Sequence, residues 1–156
     1  MKLFKPLIGL ATGVALAMAS LQPLHAAETK TDPILGVSDG ALARFGGHEG
    51  MRAWVESLFY YIMLDNRINH VFREFGNVER QIVLNTQLEK MVLGGPNEYQ
   101  GASMSAAHAD LGITMTQFNA VVEAAYNACE RNLIKYYTCN ELVNALAPFT
   151  RDIVTR

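Results

Sequence analysis

The sequence predicts an all-α domain, and three observations carry that prediction. Apolar residues recur at offsets of three and four along most of the chain beyond residue 50. Two S/T-x-x-E/Q patterns, Thr114 with Gln117 and Thr138 with Glu141, stand directly ahead of such stripes, as helix N-caps do. No segment alternates apolar and polar residues long enough to make a half-buried strand.

In chain order, residues 1–26 read as a signal peptide. Lys2 and Lys5 form a short basic start, an uncharged and mostly apolar run extends from Pro6 to Ser20, and Pro23 precedes the small residues Ala26 and Ala27. The run is shorter than the ~20 residues a membrane helix needs, and no second one follows, so no stable membrane span remains after removal. Cleavage after Ala26 leaves about 130 residues, the size of one domain. The loss of two lysines and no acids takes the net charge from −2 to −4, which argues against a nucleic-acid partner held through its phosphates. The expected location is exported and periplasmic. Residues 27–40, with Pro33, Gly36 and Gly40, read as a flexible lead-in, and residues 41–156 as the folded domain.

Within that domain Met51, Val55, Leu58, Phe59 and Ile62 mark a first long helix. A second covers about Val78 to Leu93. Behind Thr114 come Phe118, Val121, Val122, Ala125 and Cys129; behind Thr138 come Leu142, Leu146, Phe149 and Ile153. These two helices, joined by a short loop, should pack antiparallel. Gly46-Gly47 and Gly94-Gly95-Pro96 are the strongest internal breaks. Cys129 and Cys139 lie ten apart. In an exported protein they could bridge that hairpin, and equally Cys129 could be a small buried apolar residue. No CxxCH haem-attachment signal and no zinc spacing occurs.

Two features do not fit a plain core. The stripe Gln81, Leu84, Asn85, Leu88, Val92 places two amides on an otherwise apolar face, where a buried amide without a partner costs about 1–3 kcal/mol. They could lie at the stripe's edge, bonded to water, or line a pocket and direct donors at a ligand. The second is His108, four residues after Met104 and set among Ala106, Ala107 and Ala109. Spacing alone leaves it between an ordinary surface histidine and a metal ligand.

The segments "FGGHEG" (45–50), "LGGPNEYQG" (93–101), "MSAAHADLGIT" (104–114), "FNAVVEA" (118–124) and "LAPFTRDI" (146–153) decide between those readings. Together, from Phe45 to Arg156, they resemble the group I truncated haemoglobins, short globins folded as a two-over-two helical sandwich. The resemblance implies that His108 is the proximal ligand of a haem iron and that Met104 packs on the same side. It implies that Phe72 stacks against the ring and that Gln81, Leu84 and Asn85 are distal residues. The group's distal tyrosine falls, counting without gaps from Gly47, on Phe59, with Tyr60 ~100° round the helix. Phe59 is the favoured pocket residue, and Tyr60 stays open. Leu84 and Phe149 stand where some relatives carry a histidine that binds iron or attaches haem covalently, so neither device is expected.

The function so implied is a haem-binding globin with non-covalent haem b (iron protoporphyrin IX) that reversibly binds dioxygen or another diatomic gas. Nitric oxide dioxygenation would need an external reductase, since no flavin or nicotinamide motif occurs in the chain. The alternatives are a periplasmic electron-transfer or redox-sensing haem protein with the cysteines as a switch, and a helical binding module with no cofactor.

Overall fold

A computed structural model describes residues 36–74 and 76–156. The expected signal peptide and most of the lead-in lie outside the described residues. Among the described residues eight α-helices follow in order: α1 (Ala41–Arg44), α2 (Gly47–Leu64), α3 (Asn69–Glu74), α4 (Val78–Val92), α5 (Met104–His108), α6 (Met115–Arg131), α7 (Tyr136–Leu146) and α8 (Thr150–Ile153), with a 3-10 turn at Ala147–Phe149 before the last. No strand occurs among the described residues.

The four long helices form two pairs, α2 with α4 and α6 with α7, laid on one another where α2 crosses α6. All five apolar residues read from the first stripe, Met51 to Ile62, are buried. Trp54 joins them: its ring meets Phe45 edge-on at 6.0 Å between centroids, and its Nε1 donates to Cys129 Sγ at 3.0 Å. Opposite α2, helix α6 offers Ala120, Ala124, Ala125 and Ala128, all buried. Small side chains there let the two backbones approach closely.

Side-chain caps start two of the long helices, and one expected cap does not form. Asn77 caps α4 by accepting from the Arg80 amide, and Thr114 with Gln117 makes the reciprocal capping box that starts α6. The expected box at Thr138 does not form. Helix α7 begins at Tyr136 behind Lys135, and Thr138 is buried inside its first turn. Leu133 turns the chain with φ of 55°, which starts the helix early and carries Thr138 into the core. Glu141 is thereby free to bond Arg44 and Ser38. That cluster, with Val37 buried in the core, ties down the last residues of the lead-in, which the sequence reading had treated as loose.

Between α4 and α5 the chain leaves the helix through Gly94, whose φ of 80° is a conformation other residues adopt only with strain. The nearly buried Lys90 ammonium holds Glu98 at 2.7 Å, Gln87 Oε1 accepts from the Gln100 amide, and the Tyr99 hydroxyl donates to the Ala102 carbonyl. These bonds fix the loop that delivers α5. The lysine also keeps the Glu98 carboxyl below its usual range.

Cys129 and Cys139 are joined as a disulfide, with Cα atoms 6.2 Å apart, across the α6–α7 hairpin. Closing so short a loop should contribute about 2–3 kcal/mol. The thiols are expected to be unreactive toward an alkylating agent until a reductant is added. Reduction should then lower the denaturation midpoint by a matching amount, and two free thiols in protein purified without reductant would contradict the bridge.

Candidate functional site

All seven residues read as site residues line one cavity of about 460 Å³. Phe59 comes from α2, Phe72 from α3, Gln81, Leu84 and Asn85 from α4, and Met104 and His108 from α5. The half-buried Phe118, Val121 and Val122 of α6 complete much of the apolar wall, with Leu146, Phe149 and Ile153 from the chain's end. These apolar residues, although on the predicted stripes, are not packed fully into the core because they face this space.

His108 ends α5, whose first turn is capped by Ser103 accepting from the Ala106 amide. The imidazole is half-buried, and its Nδ1 lies 2.9 Å from the Met104 carbonyl oxygen. A carbonyl only accepts, so Nδ1 must carry the hydrogen and Nε2 keeps its lone pair. That tautomer is the one an imidazole ligand needs. Among the described residues no three His, Cys, Asp or Glu side chains converge as a metal site. An imidazole beside a broad apolar slot suits a metal carried in by a flat macrocycle, as haem iron is.

The aromatic register is clear. Phe59 is buried and meets Phe72 edge-on at 5.6 Å. Tyr60 is 49% exposed, and the Arg131 guanidinium sits 4.6 Å above its ring on the outer surface. No hydroxyl from this pair reaches the cavity.

Gln81 and Asn85 both line it, but their amides are partly engaged. Gln81 Nε2 donates to the Phe72 carbonyl at 3.2 Å, and Asn85 Nδ2 donates to the Gln81 carbonyl at 2.9 Å. Each NH2 group keeps one hydrogen, while Gln81 Oε1 is buried without a partner. The Gln81 amide rests directly on Gly76, where a Cβ would come within 1.9 Å of Nε2. Any side chain at position 76 would push the amide out of place.

Sequence reasoning missed Glu89. It is 3% exposed, lines the cavity, and its Oε2 has no hydrogen-bond partner. Burial pushes its carboxyl up to about 8, so it is uncharged at neutral pH. The signal was present: Gln81, Asn85 and Glu89 follow one another at steps of four along one helix face.

A helical sandwich closed around an imidazole-bearing apolar slot defines a globin-type protein, and comparison with known proteins agrees. The family model for bacterial-like globin matches residues 42–155. The group 1 truncated haemoglobin GlbN of Mycolicibacterium paratuberculosis is 30% identical over 112 residues, covering 72% of this chain and 82% of that protein. The group 1 truncated haemoglobin of Tetrahymena thermophila is 32% identical over 80 residues, covering 51% of this chain and 65% of its own length. Among solved structures, truncated haemoglobin from Tetrahymena pyriformis in the Fe(III) form superposes with a TM-score of 0.71 at 24% identity, over 74% of this chain and 98% of that one. The 2/2 haemoglobin of a Synechococcus species, solved with covalently attached haem, gives 0.69 at 23% identity, with the same two coverages. The chain belongs to the bacterial-like globin family. Its fold is that of the truncated two-over-two haemoglobins, and the family implies a haem cofactor and a diatomic gas ligand.

The raised Glu89 carboxyl makes a stability prediction. Between the unfolded value near 4.5 and the folded value of about 8, the native state holds a proton that the unfolded state releases. Stability should therefore fall as pH rises through that window, by up to ~1.4 kcal/mol per pH unit, and level off above it. Glu89→Gln should remove that slope and raise the melting temperature more at the top of the window than at the bottom. Thermal melts of both proteins across the window check it; parallel curves would place Glu89 in water instead.

Proposed function

We propose that the protein is an exported globin that holds haem b without a covalent link and reversibly binds dioxygen or a similar diatomic gas. The observation that carries this reading is the hydrogen bond from His108 Nδ1 to the Met104 carbonyl, which leaves the lone pair on Nε2 of a residue that lines the cavity. Bound haem would supply a ferrous iron able to take a diatomic ligand. Every other part of the task falls to this chain. The bonded Nδ1–H orients His108 and makes Nε2 more basic. Met104, Phe72 and Leu84 keep the slot apolar and dry. The free N–H hydrogens of Gln81 and Asn85 stabilise negative charge on a polarised ligand, in place of the hydroxyl that Phe59 lacks. Phe149 offers no group for covalent attachment.

Nitric oxide dioxygenation is proposed as a secondary activity of the same pocket. Nitric oxide and dioxygen give nitrate with one electron, which a separate reductase would have to supply. The Cys129–Cys139 bridge supports an oxidising compartment such as the periplasm, in line with the N-terminal signal reading. It does not support a redox switch, because both cysteines are buried and thiol exchange requires access. No described helix is long and apolar enough to cross a membrane.

Visible spectra of the purified protein in oxidised, reduced and carbon monoxide-treated states test the reading. A haem-loaded protein that binds carbon monoxide when reduced is the expected result, and no Soret band after incubation with haemin would refute it. His108→Ala should abolish stable haem binding or remove the imidazole-ligated ferrous spectrum; persistence of that spectrum would exclude His108.

Replacing Gln81 or Asn85 by leucine should speed dioxygen release roughly two- to tenfold, since ~1.4 kcal/mol is one decade. Carbon monoxide, less polarised, should respond much less. Tyr60→Phe should leave both rates unchanged. Strong acceleration by Tyr60→Phe with no effect of the amide changes would show that the tyrosine is the donor.

A further inference from the structure

Gas binding through His108, Gln81 and Asn85 leaves Glu89 without a task. Its carboxyl lines the same cavity one helical turn beyond Asn85, buried, with Oε2 unpartnered. The ion pairs on the helices packed around it lead elsewhere. On α2, Arg52 bonds Glu56 and Glu79; on α7, Glu141 bonds Arg44; on α4 itself, Lys90 bonds Glu98. Of the titratable residues that share the cavity, Tyr99 donates to Ala102 and His108 is bonded to Met104, while Arg80 forms no ion pair with Glu89. No neighbouring charge acts on the carboxyl: burial alone sets its protonation, which persists up to about pH 8.

We propose that Glu89 selects among ligands: a proton-carrying carboxyl that admits small anions and polarised gases while protonated and expels anions once it ionises. The proposal rests on the haem reading of the pocket. A protonated carboxyl offers an O–H donor of the kind that Phe59 does not supply, whereas the ionised form only accepts. In a cavity of low dielectric a carboxylate repels a second negative charge across several ångströms, so the effect does not require contact. By linkage, an anion of a weak acid such as azide or nitrite binds together with the proton on Glu89, and its affinity falls as that proton is lost. A neutral gas escapes this penalty. Ligand choice would therefore shift from anions toward neutral diatomics as pH rises through the range where Glu89 titrates.

The test uses azide and the haem-loaded ferric protein, wild type and Glu89→Gln, between about pH 6 and about pH 10. Hydroxide competes for iron in both, so the ratio of the two affinities isolates Glu89. The wild-type to Glu89→Gln ratio should be constant below about pH 7 and fall by up to about tenfold per pH unit above about pH 8. A ratio that stays flat overturns the proposal. Glu89→Leu, which cannot donate, should bind azide more weakly than wild type at the acid end, and its ratio to Glu89→Gln should not vary with pH; azide affinity in Glu89→Leu that matches wild type at the acid end also counts against it. Infrared spectra of the haem-free protein should show a protonated-carboxyl band at neutral pH that Glu89→Gln lacks, and its absence from wild type likewise overturns the proposal. A protein that takes up haem and binds carbon monoxide but gives a flat azide ratio refutes the role of Glu89 alone. Failure to take up haem refutes both this role and the gas-binding reading.

Discussion

The contact between Trp54 and Cys129 is where the parts of this molecule meet. The indole donates its one N–H to a sulfur that is itself bridged to Cys139, and the ring also packs on Phe45 and borders the cavity. Core, hairpin and pocket are therefore coupled through one side chain. Helix α2 has to serve both layers, because α4 and α6 each pack on it. A shift of Trp54 would move the pair that carries the amides and the pair that closes the back of the slot. Because interiors are close-packed, such a shift is not absorbed locally.

The fold was legible because its long helices each bury a stripe that repeats at helical spacing. Met51, Val55, Leu58, Phe59 and Ile62 are all buried, and the same stripe that formed the core placed Phe59 rather than Tyr60 inward. Thr114 capped α6 because nothing distant competed with its local geometry. At Thr138 the local pattern lost, since burying that residue against the core starts α7 earlier and frees Glu141 for Arg44. Glu89 escaped notice for a related reason. Acidic residues on helices usually face water, and only the packing of α2 and α7 around α4 reveals that this one does not. The disulfide was undecided in sequence because two cysteines ten apart can bond only if the helices bring them together.

The pocket concentrates the molecule's unmet bonding. Gln81 Oε1 and Glu89 Oε2, two of the three buried side-chain atoms without partners among the described residues, both belong to residues on its wall. Each such atom costs about 1–3 kcal/mol relative to a satisfied one. A domain of this size has little stability to spare. Their placement on one face of one helix, with Glu89 eight residues along from the Gly76-backed Gln81, is what a site built for polar ligands in a dry space requires.

Helix α5 has only five residues. A single turn and a half has almost no helical stability of its own in water, because the cost of nucleation is spread over too few bonds. It is ordered by the loop bonds before it and by contacts with α8 after it. The imidazole therefore sits on a segment too short to hold itself, and whatever binds His108 also orders that segment. Cofactor uptake and local folding become one equilibrium, so the rigidity of this corner of the domain will vary with the supply of cofactor rather than being a fixed property of the chain.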